Sequence, residues 1–235
     1  METVMLTAGL RGAGGKEFAG YVAMPPKDFT GKLRGCVVVL HEAFGVTPHI
    51  KRVCEDFADQ GYAVIAPAML SLATGKPEGK VLGQTKAGLD EARELIGQTD
   101  DTELLALIEA CVAWGKAQEL KVAVCGYCWG GSVAYASAAQ LPQIDACVCY
   151  YGGKIHELAA QMQPKCATLV HLAKLDRYIP IEAAVTALAT YNQAAHVEVY
   201  EADHGFNRDD GVTFDMGAAM VARRLTLDVF DKNLS

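Results

Sequence analysis

No segment of the 235-residue chain approaches the roughly 20 consecutive apolar residues that a membrane-spanning helix needs. The N-terminus, METVMLTAGL, has neither a basic region nor the long apolar stretch of a secretory signal. Basic blocks are missing too: 21 Lys and Arg stand against 28 Asp and Glu, a net charge of −7, and nucleic acid is not an expected partner. HEAFG (41–45) is not the zinc signature HExxH, because Gly45 stands where the second histidine would be needed, and nothing else pairs His41 with a metal-ligand pattern. No linker divides the sequence. With 51% hydrophobic content, a single α/β domain over 1–235 is expected, soluble and cytoplasmic.

Cysteine, by contrast, is plentiful. Five of the eight (Cys36, Cys111, Cys125, Cys147 and Cys149) lie inside apolar runs, where a free thiol behaves as a small hydrophobe rather than as part of a secreted disulfide framework.

Short β-rich runs recur at 36–40, 62–66, 122–125, 146–150, 167–172 and 197–200, and most are continuously apolar rather than alternating. Strands covered by helices on both faces read this way, so a mostly parallel, doubly wound sheet is predicted. Segments 49–60, 85–96, 100–117, 129–139, 181–194 and 213–232 have helical spacing and length. Two weaker runs, 3–8 and 18–24, are expected as an antiparallel N-terminal edge. The polar, glycine-rich stretch 71–84 reads as a mobile loop.

In such sheets ligands bind beyond the carboxyl ends of the strands, so the residues directly after each run carry the functional expectation. After 122–125 comes GYCWGG (126–131), which places Cys128 where a nucleophile elbow GxSxG carries serine, with Gly126 and Gly130 in the two glycine places. The helix that opens there would stabilise a thiolate through its free N–H groups and dipole. Asp176 follows the run 167–172, and His204 follows 197–200. The order nucleophile, acid, histidine is that of α/β-hydrolases, with His204 moving the proton and Asp176 fixing the imidazole tautomer. Taken singly, Asp176 also suits a turn before Pro180, His204 a solvated loop, and Asp203 is a rival orienter. After 36–40 come Glu42 and Ala43. The loop after that strand usually supplies one oxyanion donor and the residue after the nucleophile the other, here the amides of Ala43 and Trp129. Arg208, one turn past His204, suits a substrate carboxylate, or equally a surface pair with Asp209 or Asp210.

HEAFGV (41–46), GYCWGG (126–131), YYGG (150–153), LDRYIP (175–180) and DHGFNR (203–208) together resemble the dienelactone hydrolase family, over nearly the whole chain. The resemblance implies an α/β-hydrolase fold, a Cys128, Asp176, His204 triad that opens cyclic enol esters such as carboxymethylenebutenolide, and no metal or organic cofactor. It also implies that Glu42 helps hold or release the thiol proton when an anionic substrate reaches Arg208. One departure stands out. Family members acting on dienelactone use a second arginine from the segment after the strand ending at Pro67, whereas residues 68–92 hold only Lys76, Lys80 and Lys86 as cations. A broader small-ester or lactone hydrolase therefore stays open. So do two other classes: a CxxC thiol–disulfide oxidoreductase using Cys125 and Cys128, and a non-catalytic relative that binds a small ligand.

Overall fold

Residues Cys36–Leu40 are apolar throughout and all five are buried, as a strand sandwiched between helices requires. The computed structural model describes residues 4–6 and 17–234. The chain forms two compact units, divided after Val122.

In the first unit, β3 (Cys36–Leu40) and β4 (Ala63–Pro67) run parallel, with Val37 opposite Val64, joined by the crossover helix α1 (Pro48–Asp59). β2 (Gly20–Ala23) lies antiparallel on the other edge of β4, and β1 (Val4–Leu6) antiparallel on β2. This is the expected antiparallel N-terminal edge; the remainder of the run 3–8 lies outside the described residues. α2 (Ser71–Thr74), α3 (Lys86–Gly97) and α4 (Asp101–Lys116) complete the unit. Helix starts follow local chemistry. Thr85 accepts the Gly88 amide at 3.1 Å, and Asp100 accepts the amides of Thr102 and Glu103, both at 2.9 Å.

The stretch 71–84 is not the loose loop its composition suggests. It begins with the short α2, buries Leu82, and is tied down by backbone hydrogen bonds from Ala19 to Pro77 and from Leu82 to Phe44. Gly45, at φ 84°, is the residue that lets it pass, since a Cβ there would lie 2.1 Å from the Lys80 carbonyl oxygen.

In the second unit, β5 (Val122–Tyr127, all but its first residue in this unit), β6 (Ala146–Tyr150), β7 (Ala167–Ala173) and β8 (His196–Tyr200) are parallel neighbours in chain order. The intervening helices are α5 (Trp129–Gln140), α6 (Ile155–Gln161) and α7 (Ile181–Tyr191). α6 packs against both α5 and α7, as right-handed crossovers in one direction along a sheet require. α8 (Met216–Leu234) packs on β6 and β7, where register partners Tyr150 and His171 both reach Thr226. Asp215 caps α8 by accepting the Ala218 amide at 2.9 Å, which places its start after the expected residue 213. α6 is not apparent in the sequence because it is only seven residues long and buries only Ile155 and Ala159. Among the described residues, no helix is long and apolar enough to cross a membrane.

Candidate active site

β5 hands the chain to α5 through a single residue, Cys128, whose backbone adopts φ 54°, ψ −116°. That conformation is costly for a side-chain-bearing residue and is the strained turn expected of an elbow. The glycine at 126 follows from the same geometry: a Cβ on Gly126 would lie 1.9 Å from the Gly130 carbonyl oxygen. Gly131 lets α5 approach β6, since its Cβ would lie 2.6 Å from the Tyr150 carbonyl oxygen. Cys128 is part-exposed at the N-terminus of α5, where amide dipoles favour a negative sulfur.

The loops after β7 and β8 meet by backbone pairing. Lys174 donates to the Tyr200 carbonyl at 2.8 Å and Leu175 to that of Ala202 at 2.9 Å. This brings Asp176 to His204. Asp176 Oδ2 accepts the His204 Nδ1–H at 2.6 Å, while Oδ1 accepts the Tyr178 amide at 2.8 Å. Asp176 is thus both a turn residue and the orienter of the ring, roles that the sequence left as alternatives. The rival carboxylate is engaged elsewhere: Asp203 Oδ1 accepts the backbone amide of His204 at 2.7 Å, and Oδ2 lies 3.6 Å from Arg177.

The His204 ring is also hydrogen-bonded to the Cys128 sulfur. Burial alone would lower its pKa, but the neighbouring Cys128 side chain and the Asp176 hydrogen bond raise it to about 10. The structure therefore brings Cys128, His204 and Asp176 into one hydrogen-bonded chain. Two residues without a role in the sequence analysis flank the ring, Tyr151 with its centroid at 5.0 Å and Tyr178 at 5.2 Å. They belong to the motifs YYGG and LDRYIP, but neither motif reveals what its tyrosine touches.

The other expected residues are placed as follows. Arg208 lies in the turn after His204, its amide donating to the Gly205 carbonyl, its side chain 15% exposed and its Nε 3.8 Å from Asp210 Oδ1. Trp129 is the first residue of α5. Glu42 and Ala43 are buried in the turn after β3, in the first unit. His41 ties two backbone segments together, its Nδ1–H donating to the Glu42 carbonyl at 2.6 Å and its Nε2 accepting the Met69 amide at 3.1 Å. Burial holds this ring's pKa down at about 4, so it is neutral at pH 7. Tyr127 belongs to the core, stacked on Tyr150 at 4.6 Å. Cys125 is fully buried, its thiol directed at the Tyr127 hydroxyl at 3.6 Å, and all eight cysteines are free.

Residues 18–234 match the sequence pattern of the Dienelactone hydrolase family. A carboxymethylenebutenolidase of Pseudomonas sp. (strain P51) is 30% identical over 97% of this chain and 96% of its own length. A candidate carboxymethylenebutenolidase of Synechocystis sp. is 32% identical over 93% of each. Among solved structures, a candidate dienelactone hydrolase of Klebsiella pneumoniae superposes with TM-score 0.80 at 27% identity, covering 97% of both chains. The α/β-hydrolase fold follows, with its mostly parallel sheet and antiparallel edge.

Proposed function

Because the chain belongs to the dienelactone hydrolase family of carboxylic ester hydrolases, we propose that it opens a small anionic cyclic enol ester of the carboxymethylenebutenolide type, with Cys128 as nucleophile, His204 as proton carrier and Asp176 as orienting acid. We take residues 1–235 as one catalytic domain. The observation that carries this reading is the hydrogen-bonded chain from the Cys128 sulfur through His204 to Asp176.

The thiolate attacks the lactone carbonyl carbon, forming a C–S bond and placing the carbonyl electron pair on oxygen. The amides of Ala43 and Trp129 are the proposed oxyanion donors, each worth roughly 3 kcal/mol. Collapse breaks the ring C–O bond, and the enol oxygen leaves with the His204 proton. The neutral imidazole then takes a proton from water, whose oxygen attacks the thioester carbonyl. Breaking the C–S bond returns the thiolate beside a reprotonated His204, with the acid released. In this reading Arg208 grips the substrate carboxylate, and Glu42 tunes the thiol proton until an anion arrives. No metal or organic cofactor takes part.

One observation favours a broader small-ester or lactone substrate. Residues 68–92 hold no arginine, and Lys80, one of the three lysines that could replace it, is already paired with Glu91. The two readings separate when a carboxylate-bearing dienelactone and a neutral aryl acetate are compared in wild type, Cys128→Ala and Arg208→Ala. Loss of both activities in Cys128→Ala, with selective loss of the charged substrate in Arg208→Ala, is the expected result. Equal losses in Arg208→Ala would favour the broader esterase, and an active Cys128→Ala would remove the nucleophile assignment.

A further inference from the structure

Among the described residues, three that are not glycine adopt positive φ, and two of these, Cys128 at 54° and Tyr151 at 39°, stand at the ends of adjoining strands β5 and β6. The two ends are linked, since the Cys128 amide donates to the Tyr150 carbonyl at 2.9 Å. Glycine takes such a backbone at no steric cost, and Gly152 and Gly153 follow directly, yet a fully buried tyrosine occupies the strained position. Its surroundings hold it there. The Tyr151 amide donates to the His171 carbonyl at 2.8 Å, the Ser132 hydroxyl accepts the Lys154 amide at 3.0 Å, and a Cβ on Gly152 would lie 2.8 Å from the Ser132 nitrogen. What the position delivers is a ring. Its centroid lies 5.0 Å from that of His204, tilted 57°, and 5.3 Å edge-on from Phe206.

We infer that Tyr151 is a positioning residue of the triad: strained backbone presses its ring against the His204 imidazole, fixing the imidazole beside the Cys128 sulfur and favouring its cationic form. A ring centred within about 6 Å of a cation attracts it through the ring quadrupole. The inference rests on the triad proposed under the function.

The test follows the rate of Cys128 alkylation by iodoacetamide against pH, together with kcat and KM on an aryl acetate. Tyr151→Phe keeps the ring and should retain the wild-type profile. Tyr151→Leu should raise the acid midpoint of alkylation by about half a pH unit and lower kcat about tenfold with KM little changed. If Leu does not fold, Tyr151→Met fills the volume without a ring. Wild-type behaviour in Leu, Met or Tyr151→Gly, which relieves the strain and lacks the ring, would overturn the inference, as would a loss in Phe equal to that in Leu. His204→Ala is run in parallel. A shifted profile there with none in Tyr151→Leu sinks the positioning role alone, whereas no shift in either sinks the triad itself and the inference with it.

Discussion

His204 Nδ1 lies 2.6 Å from Asp176 Oδ2 although 28 residues separate them, because backbone hydrogen bonds stitch the loop after β7 to the loop after β8. The carboxylate is completely shielded from solvent and uses both oxygens, one for the ring and one for the Tyr178 amide. A charged group in such a place fixes a tautomer and stabilises an imidazolium at once.

Asp176→Asn should preserve the turn, since its carbonyl can still accept the Tyr178 amide, but its NH2 would then face the ring nitrogen and select the wrong tautomer. A fall in kcat of about 100-fold or more is expected at nearly unchanged stability. Asp176→Ala should in addition cost about 1–3 kcal/mol by leaving the Tyr178 amide without its acceptor. Steady-state kinetics and urea melts of both variants check this, and an Asn variant of near wild-type kcat would rule out the orienting role.

Thiol labelling at pH 8 should modify one cysteine quickly. Six of the eight cysteines are buried, and the part-exposed Cys166 is pushed up to about 12 by burial, whereas Cys128 stands beside an imidazolium. Peptide mapping after a short iodoacetamide pulse should find the label on Cys128, and the fast phase should vanish in Cys128→Ala. Comparable labelling of Cys166 would contradict the activated thiol.

Two opposite proton linkages should shape stability against pH. The folded pKa of His204 is raised to about 10, so its stabilisation is fully present below the ordinary value near 6.5 and is lost as pH climbs through about 10. Burial lowers the folded pKa of His171 to about 3 and of His41 to about 4, so their contribution is present above 6.5 and fades as pH falls toward those values. Chemical melts from pH 4 to 10 should therefore peak near neutrality. The alkaline decline should flatten in His204→Ala, and an unchanged slope there would refute the raised value.

Gly126→Ala should abolish activity and cost about 3 kcal/mol or more, because its Cβ would meet the Gly130 carbonyl oxygen, a backbone atom, at 1.9 Å. Gly97→Ala at the end of α3 meets nothing within 4 Å. It should be neutral or gain up to about 1 kcal/mol from helix propensity. Thermal melts of the pair separate elbow geometry from a general intolerance of larger side chains.

Among the described residues all eight strands, six as apolar runs and two as the weaker antiparallel edge, together with the elbow and the order of the three triad candidates, were legible in the sequence, because each depends on near neighbours in the chain. CVVVL and ACVCY can be buried on both faces only between helices, and in GYCWGG Gly126 is needed because a Cβ there would meet the Gly130 carbonyl only four residues on. What a side chain meets across the fold is decided by other strands. That Asp176 rather than Asp203 orients the ring follows from how the loops after β7 and β8 pair. The stretch 71–84 reads as loose by composition and is fixed by partners at Ala19 and Phe44. Tyr151 is one tyrosine of a YYGG run until β6 sets it against a ring more than fifty residues further along. Sequence determined which chemical groups stand at the strand ends; the packing of strands distant in the chain decided which of them touch, since hydrogen bonds and ring contacts act over a few ångströms of space, whatever the number of residues between.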